Sequence, residues 1–198
     1  GENLPYQKIQ IIEKLLNKYQ LPEKIKNKTQ LLSKKNLIKY LIDMLYVKNN
    51  QTINENINYF LKLISTNPEY KNKNLMPKAI SREKVKDISK NSLSSFQSHG
   101  LSHTACSSLS EKELKNEMLT SKKTIEDFTG RKVNSFCYPY GSQRSISDLS
   151  VKVASKYFET ATTLIRGRLK NSNLHYLPRI DLYEENAVSF VRLKVTLS

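Results

Sequence analysis

The 198-residue chain has no tryptophan, five glycines and two cysteines. Two cysteines cannot build the disulfide framework that lets small secreted domains do without a large core, so stability must come from apolar burial, which this length permits. No apolar run approaches the ~20 residues needed to span a bilayer. Gly1 to Tyr6 lack the basic-then-apolar pattern of a signal peptide, and because the chain opens on Gly rather than Met it reads as trimmed from a longer parent. Negative charge is also scarce: 18 acidic residues face 33 basic ones, for a net charge of +15 and a pI near 9.7. Such a balance would suit nucleic acid or an anionic membrane surface. The lysines, however, are spread along the chain among many asparagines, with no arginine-rich patch interleaved with aromatics. Nucleic acid is therefore discounted in favour of a solvated basic surface. No internal repeat is evident.

Apolar periodicity organises what remains. Ile9, Ile12, Leu15, Leu16 and Tyr19 form one helical stripe, Leu31 to Leu45 a second and Ile57 to Ile64 a third. A leucine and isoleucine stripe of this kind is a packing face, and no chemistry is assigned to it. Residues 66–77 are polar and punctuated by Pro68 and Pro77, which makes them the expected boundary between a helical layer over 1–75 and a main domain over 76–198. Ser81 to Lys84 carries a helix-start pattern. Leu93 to Ser98 reads as a strand, and Ser110 to Glu113 as a capping box opening a long amphipathic helix that Gly130 can close. Val133 to Tyr138 is a second strand, ended by Pro139-Tyr140-Gly141. Ser147 caps a helix expected to turn Leu149, Val153, Ala154 and Tyr157 inward, and Phe158 to Leu164, Leu174 to Leu182 and Ala187 to Leu197 are expected as further strands. Alternation of strand and helix from residue 93 onward implies an α/β sheet or barrel.

Chemistry concentrates around Ser98-His99-Gly100-Leu101-Ser102-His103, which holds two of the three histidines four positions apart. Imidazoles so spaced can present two nitrogens to one ion, although a catalytic zinc site takes three protein ligands and the pair standing alone reads more simply as a polar turn. Cys106, three residues on, is a conceivable further ligand, whereas Cys137 alternates with Phe136 and Tyr138 and reads as a small core hydrophobe. His175 stands at a strand start and Arg179 at a strand end. A cation at that end could pair with a carboxylate or hold a substrate anion.

Gln97 to His103, the helix bearing Glu117 and Ser121-Lys122-Lys123, the Thr129 to Val133 turn and Phe136-Cys137-Tyr138-Pro139-Tyr140-Gly141 occur in one order that resembles the polysaccharide deacetylases of the NodB-homology group. Leu177-Pro178-Arg179-Ile180 is similar to the closing segment of the branch acting on cell-envelope or exopolysaccharide sugars. The likeness covers about residues 75 to 185. It implies an incomplete, irregular (β/α) barrel with catalytic groups at the C-terminal ends of its strands, and it makes the N-terminal helices an insertion. It also implies a divalent metal, most simply zinc, held by His99, His103 and an aspartate. The expected reaction is hydrolysis of N-acetyl or O-acetyl groups on a bacterial polysaccharide or glycan precursor, at carbon–nitrogen bonds other than peptide bonds. A second aspartate would be the base, the Tyr140 amide the oxyanion donor, and His175 or Arg179 weaker candidates for the remaining roles.

One departure is large. The family's Thr-Phe-Asp-Asp-Gly strand supplies both aspartates, and the chain contains no Asp-Asp at all. Asp43, Asp87, Asp127 and Asp148 fall in helical patterns, and Asp181 follows the histidine pair rather than preceding it. The resemblance therefore implies a deacetylase domain shortened at its N-terminal side. Two alternatives stand beside it: a catalytically defective glycan- or metal-binding module of the same fold, and a basic protein binding nucleic acid or a membrane surface. Compartment, cytoplasm or cell envelope, is left open by the sequence.

Overall fold

A computed structural model describes residues 80–167, 169 and 173–180, and before them 34–44, 46 and helical positions among 9–13 and 55–62. The chain divides into two compact units, Gly1–Ala79 and Ile80–Ser198. In the first, helix α1 (Lys34–Met44) buries Leu37 and Leu41 completely, and Ile9, Ile12 and Ile57 are buried at helical positions on either side of it in sequence. Ile42, counted on the apolar stripe, is exposed.

The second unit begins with α2 (Arg82–Ser89), whose N-cap Ser81 accepts the Lys84 amide proton at 3.2 Å. Its last carbonyls need partners: Lys86, Asp87 and Ile88 find theirs locally, and the Arg131 guanidinium serves Ser89 O and the turn beyond it, Nη1 lying 2.9, 3.3 and 2.9 Å from Ser89 O, Asn91 O and Ser94 O. Helix α3 (Glu111–Thr129) starts at Ser110, whose amide and hydroxyl both donate to the Glu113 carboxylate, and ends at Gly130 in the left-handed conformation, φ 66°. Leu114, Met118 and Ser121 form its buried face. Strand β1 (Ser135–Cys137), helix α4 (Asp148–Tyr157) and strand β2 (Thr160–Thr162) follow.

The two strands pair in parallel, Ser135 opposite Thr160 and Cys137 opposite Thr162. Parallel bridges from Ser98 to Phe136 and from Thr162 to Leu177 extend the ladder by one chain segment on each side. The order Ser98, β1, β2, Leu177 runs in one direction, with α3 and α4 as crossovers, as parallel pairing requires. Phe136, Tyr138, Phe158, Ala161, Leu114, Met118, Val153 and Ala154 make the core beneath it. Phe136 stacks at 5.2 Å from both Tyr138 and Phe158, and each such buried aromatic contributes on the order of 2–3 kcal/mol by area alone.

Four expectations change. Among its described residues, the strand over Leu174 to Leu182 reduces to the single bridge at Leu177. The strand over Leu93 to Ser98 reduces to the single bridge at Ser98, because an Asn91 to Ser94 turn follows α2 directly and leaves Leu93 94 % exposed. Leu149 faces out rather than in, since it occupies the first turn of α4, ahead of the Val153 and Ala154 face that meets the core. Cys137 is half-buried on the face opposite Phe136 and Tyr138, while Cys106 is the core cysteine. Asp181 and the expected strand over 187–197 lie outside the described residues. No helix among those described is long and apolar enough to cross a membrane.

Candidate active site

Both site loops leave the same end of the parallel ladder. The first follows Ser98, whose N–H donates to Ser135 O at 3.1 Å and whose carbonyl accepts from Cys137 N at 2.9 Å. Its hydroxyl is buried 2.6 Å from Ser121 Oγ. Ser121 spends its own proton on Met118 O, so Ser98 is the donor of that pair. One residue beyond this anchor, His99 places Nδ1 at 2.7 Å from the Cys137 carbonyl. A carbonyl only accepts, so Nδ1 carries the proton and Nε2 is the nitrogen left to bind.

Gly100 then turns the chain at φ 80°, and His103 holds φ 57°, a region in which non-glycine residues are uncommon. The Glu117 carboxylate of α3 reaches into the loop between them: Oε2 accepts from Leu101 N at 2.8 Å and Ser102 N at 2.9 Å. The rings of His99 and His103 meet edge to face with centroids 4.9 Å apart.

The second loop follows β1. Tyr138 N donates to Thr162 O at 3.1 Å, Pro139 is buried, and Tyr140 and Gly141 both turn left-handed, at φ 61° and 55°. Gly141 is required there. An added Cβ would stand 2.6 Å from the amide nitrogen of Leu164, which donates to the Gly141 carbonyl at 2.8 Å. This bend brings the Tyr140 ring to 4.7 Å from that of His103, again edge to face. Ser107 ties the two loops together, its hydroxyl donating to Arg144 O at 2.6 Å. Four of the five positive-φ residues among those described sit in these loops, and two of them, His103 and Tyr140, carry a Cβ and so hold backbone strain of the kind found at functional sites.

The electrostatics of the two imidazoles differ. A hydrogen bond to the Cys137 side chain, and behind it the one to the Cys137 carbonyl, raises His99 above its ordinary value against the opposing effects of burial and the Arg179 charge. Burial first, and the neighbouring His99 charge second, lower His103 to about 4. Burial pushes the Cys137 thiol up, but hydrogen bonds to His99 and Thr162 and the His99 and Arg179 charges outweigh it and leave the thiol below its ordinary value.

The fold thus brings His99, His103 and Tyr140 together, and Arg179, exposed just past the Leu177 bridge, acts on His99 through its charge. His175 is elsewhere. Its Nε2 donates to Phe158 O at 2.9 Å, and Phe158 stands four residues before Thr162, the partner of Cys137. Phe158 thus precedes β2, whereas the pair stands beyond the other end of the ladder, past Cys137 and Thr162. Cys106 is buried in the core rather than at the pair. Asp87 pairs with exposed Lys90, and Asp127 and Asp148 are exposed on helices. Two imidazoles with centroids 4.9 Å apart, one with its tautomer set, are close enough to belong to one site. Among the described residues no cluster of three or more His, Cys, Asp and Glu side chains could complete one.

Two residues escaped sequence reasoning. Cys137 was assigned to the core, though period-2 alternation with Phe136 and Tyr138 puts it on the opposite face. Glu117 enters the sequence reading only as part of the helix that helps carry the resemblance, with no role assigned to it. Its signal was the i, i+4 spacing to Ser121, which places both on one face of α3.

A family model for polysaccharide deacetylase matches residues 40–158. Among solved structures, a polysaccharide deacetylase from Bacillus cereus superposes with a TM-score of 0.54 at 24% identity, covering 59% of this chain and 37% of that one. A protein of Bacillus anthracis described in the same terms gives 0.53 at 23%, with the same coverage. The chain therefore spans little more than a third of the length of these two relatives. The deacetylase PplD of Streptococcus pyogenes, in complex with acetate, gives 0.53 at 16% and covers 98% of this chain and 89% of its own. No curated protein sequence matches.

Proposed function

Since the chain belongs to the polysaccharide deacetylase family, we propose that it hydrolyses acetyl groups, N-linked in the first instance and O-linked as the variant, on a bacterial cell-envelope polysaccharide or glycan precursor. The observation that carries this reading is the convergence of the His99 and His103 rings beside the left-handed bend at Tyr140. The parallel ladder is read as part of an incomplete (β/α) barrel, with the N-terminal helices as an insertion. In such barrels the C-terminal strand ends carry the chemistry.

His99 and His103 would hold a divalent metal, zinc by preference for imidazole donors. When bound, such an ion acidifies its water toward neutrality and polarises the acetyl carbonyl. The chain's own residues do the rest. The Cys137 carbonyl fixes the His99 ring so that Nε2 faces the site. The bend at Pro139 to Gly141 aims the Tyr140 N–H at the oxygen on which negative charge develops as the acetyl carbon becomes tetrahedral. The Tyr140 ring closes one side of the His103 imidazole. Arg179, at the rim, can hold an anionic group of the glycan. His175 is assigned no part, because its ring is engaged with Phe158 O. The acetate in the Streptococcus pyogenes deacetylase structure is the product this reaction would release.

The absence of a completing carboxylate among the described residues favours a second reading, a module of the same fold that holds metal and glycan without cleaving. Acetate release from an N-acetylglucosamine oligomer by the full chain with zinc separates the two. Deacetylation predicts catalytic acetate release that His99→Ala and His103→Ala abolish. Stoichiometric zinc binding with no acetate above background would replace it with the binding module.

A further inference from the structure

We propose that Glu117 is the positioning residue of the histidine pair, holding the loop that sets the distance and angle between the His99 and His103 rings. The inference rests on the proposed role of that pair in the site, although the geometry stands without it. Gly100 to Ser102 forms no regular structure, so its amides need partners from elsewhere. Glu117 Oε2 takes two of them, Leu101 N at 2.8 Å and Ser102 N at 2.9 Å, and hydrogen bonds to a carboxylate are roughly twice as strong as neutral ones. The same oxygen lies 3.3 Å from where a Cβ on Gly100 would stand, so side chain and turn are fitted to each other.

Four residues further along α3, Ser121 accepts the Ser98 hydroxyl proton at 2.6 Å. One helix face thus grips the segment on both sides of His99: at Ser98 before it and at Leu101 and Ser102 after it. His103 is the next residue, and it is held at φ 57°, a backbone state an unrestrained histidine would leave. Released from Glu117, the loop is expected to relax that residue and swing its ring away from Tyr140. Both of these Glu117 hydrogen bonds go to backbone amides, so the action argued for it is through the backbone.

The test uses the full chain and needs no metal. His103 ring protons should show a ring-current shift and nuclear Overhauser contacts from Tyr140, whose ring stands edge-on at 4.7 Å. Wild type and Glu117→Gln, which keeps an acceptor oxygen, should show both. Glu117→Ala should lose them. Val153→Ala, which opens a small cavity in the core away from the loop, serves as the stability control and should lower the melting temperature while leaving both signals in place. Persistence of the Tyr140 contacts in Glu117→Ala, or their loss in Val153→Ala, would overturn the inference.

A zinc titration of the same proteins reads the function separately. If wild type binds zinc through His99 and His103, Glu117→Ala should weaken it about 10-fold, at the low end of what losing a supporting partner costs a metal site. Wild-type zinc binding indifferent to His99→Ala and His103→Ala would remove the metal role of the pair and leave the positioning result as the spectra give it.

Discussion

His99 donates its Nδ1 proton to the carbonyl of Cys137 across 2.7 Å, so a strand of the core decides which face of a surface imidazole is available for chemistry. That bond links the two site loops at their roots, since the next residues after Cys137 form the bend carrying Tyr140.

The two imidazoles should titrate far apart. His99 is raised chiefly by its hydrogen bond to the Cys137 side chain, so its midpoint should lie above the ordinary histidine value, whereas His103, half-buried beside His99, should stay neutral down to about 4. Their stability effects have opposite signs. His99 favours folding below its unfolded value and loses that contribution as pH rises through its folded one. His103 takes up no proton between about 6.5 and 4 while the unfolded chain does, so stability falls as pH falls across that window. Nitrogen-detected histidine spectra would show both midpoints, and a single shared midpoint near 6.5 would contradict the geometry.

Gly141→Ala should be far more damaging than Gly130→Ala. Both glycines have positive φ, which costs an alanine about 1–2 kcal/mol. Nothing lies within 4 Å of a Cβ at Gly130, but one at Gly141 would collide with the Leu164 backbone and side chain at 2.6, 2.9 and 3.1 Å. Denaturant midpoints should drop modestly for the first variant, and for the second by enough to displace the Tyr140 bend and abolish any acetate release.

The two thiols should react at different rates. Cys106 is 2 % exposed and its thiol is pushed up to about 12, by burial and then by the Glu117 charge. Cys137 is more accessible and its thiol is lowered by its His99 and Thr162 partners against the effect of burial. Limited alkylation at pH 8 followed by peptide mass spectrometry should label Cys137 first. Equal labelling would mean that the core around Cys106 opens readily.

Arg131→Ala should destabilise the second unit by about 1 kcal/mol, because it removes the donor shared by Ser89 O at the end of α2 and by Asn91 O and Ser94 O in the turn after it. Urea denaturation would measure it. Arg131→Lys should recover only part, since the lysine ammonium ends about one bond short of the position Nη1 occupies.

Local chemistry was legible in the residues themselves. Ser110 and Glu113 fixed the start of α3 and Gly130 its end, and Ser81 and Ser147 marked α2 and α4, because caps are made with neighbours three or four positions away. The order of motifs around His99, His103 and Tyr140 was enough to point to the family. What the sequence could not decide depends on partners distant along the chain. The tautomer of His99 is set by Cys137, 38 residues later, the shape of its loop by Glu117, and the removal of His175 from the pair by a carbonyl at Phe158. Leu93 looked strand-like and Cys137 core-like for the same reason: side-chain type reports what a residue can pack against, while the ladder and the turn after α2 determine what it meets.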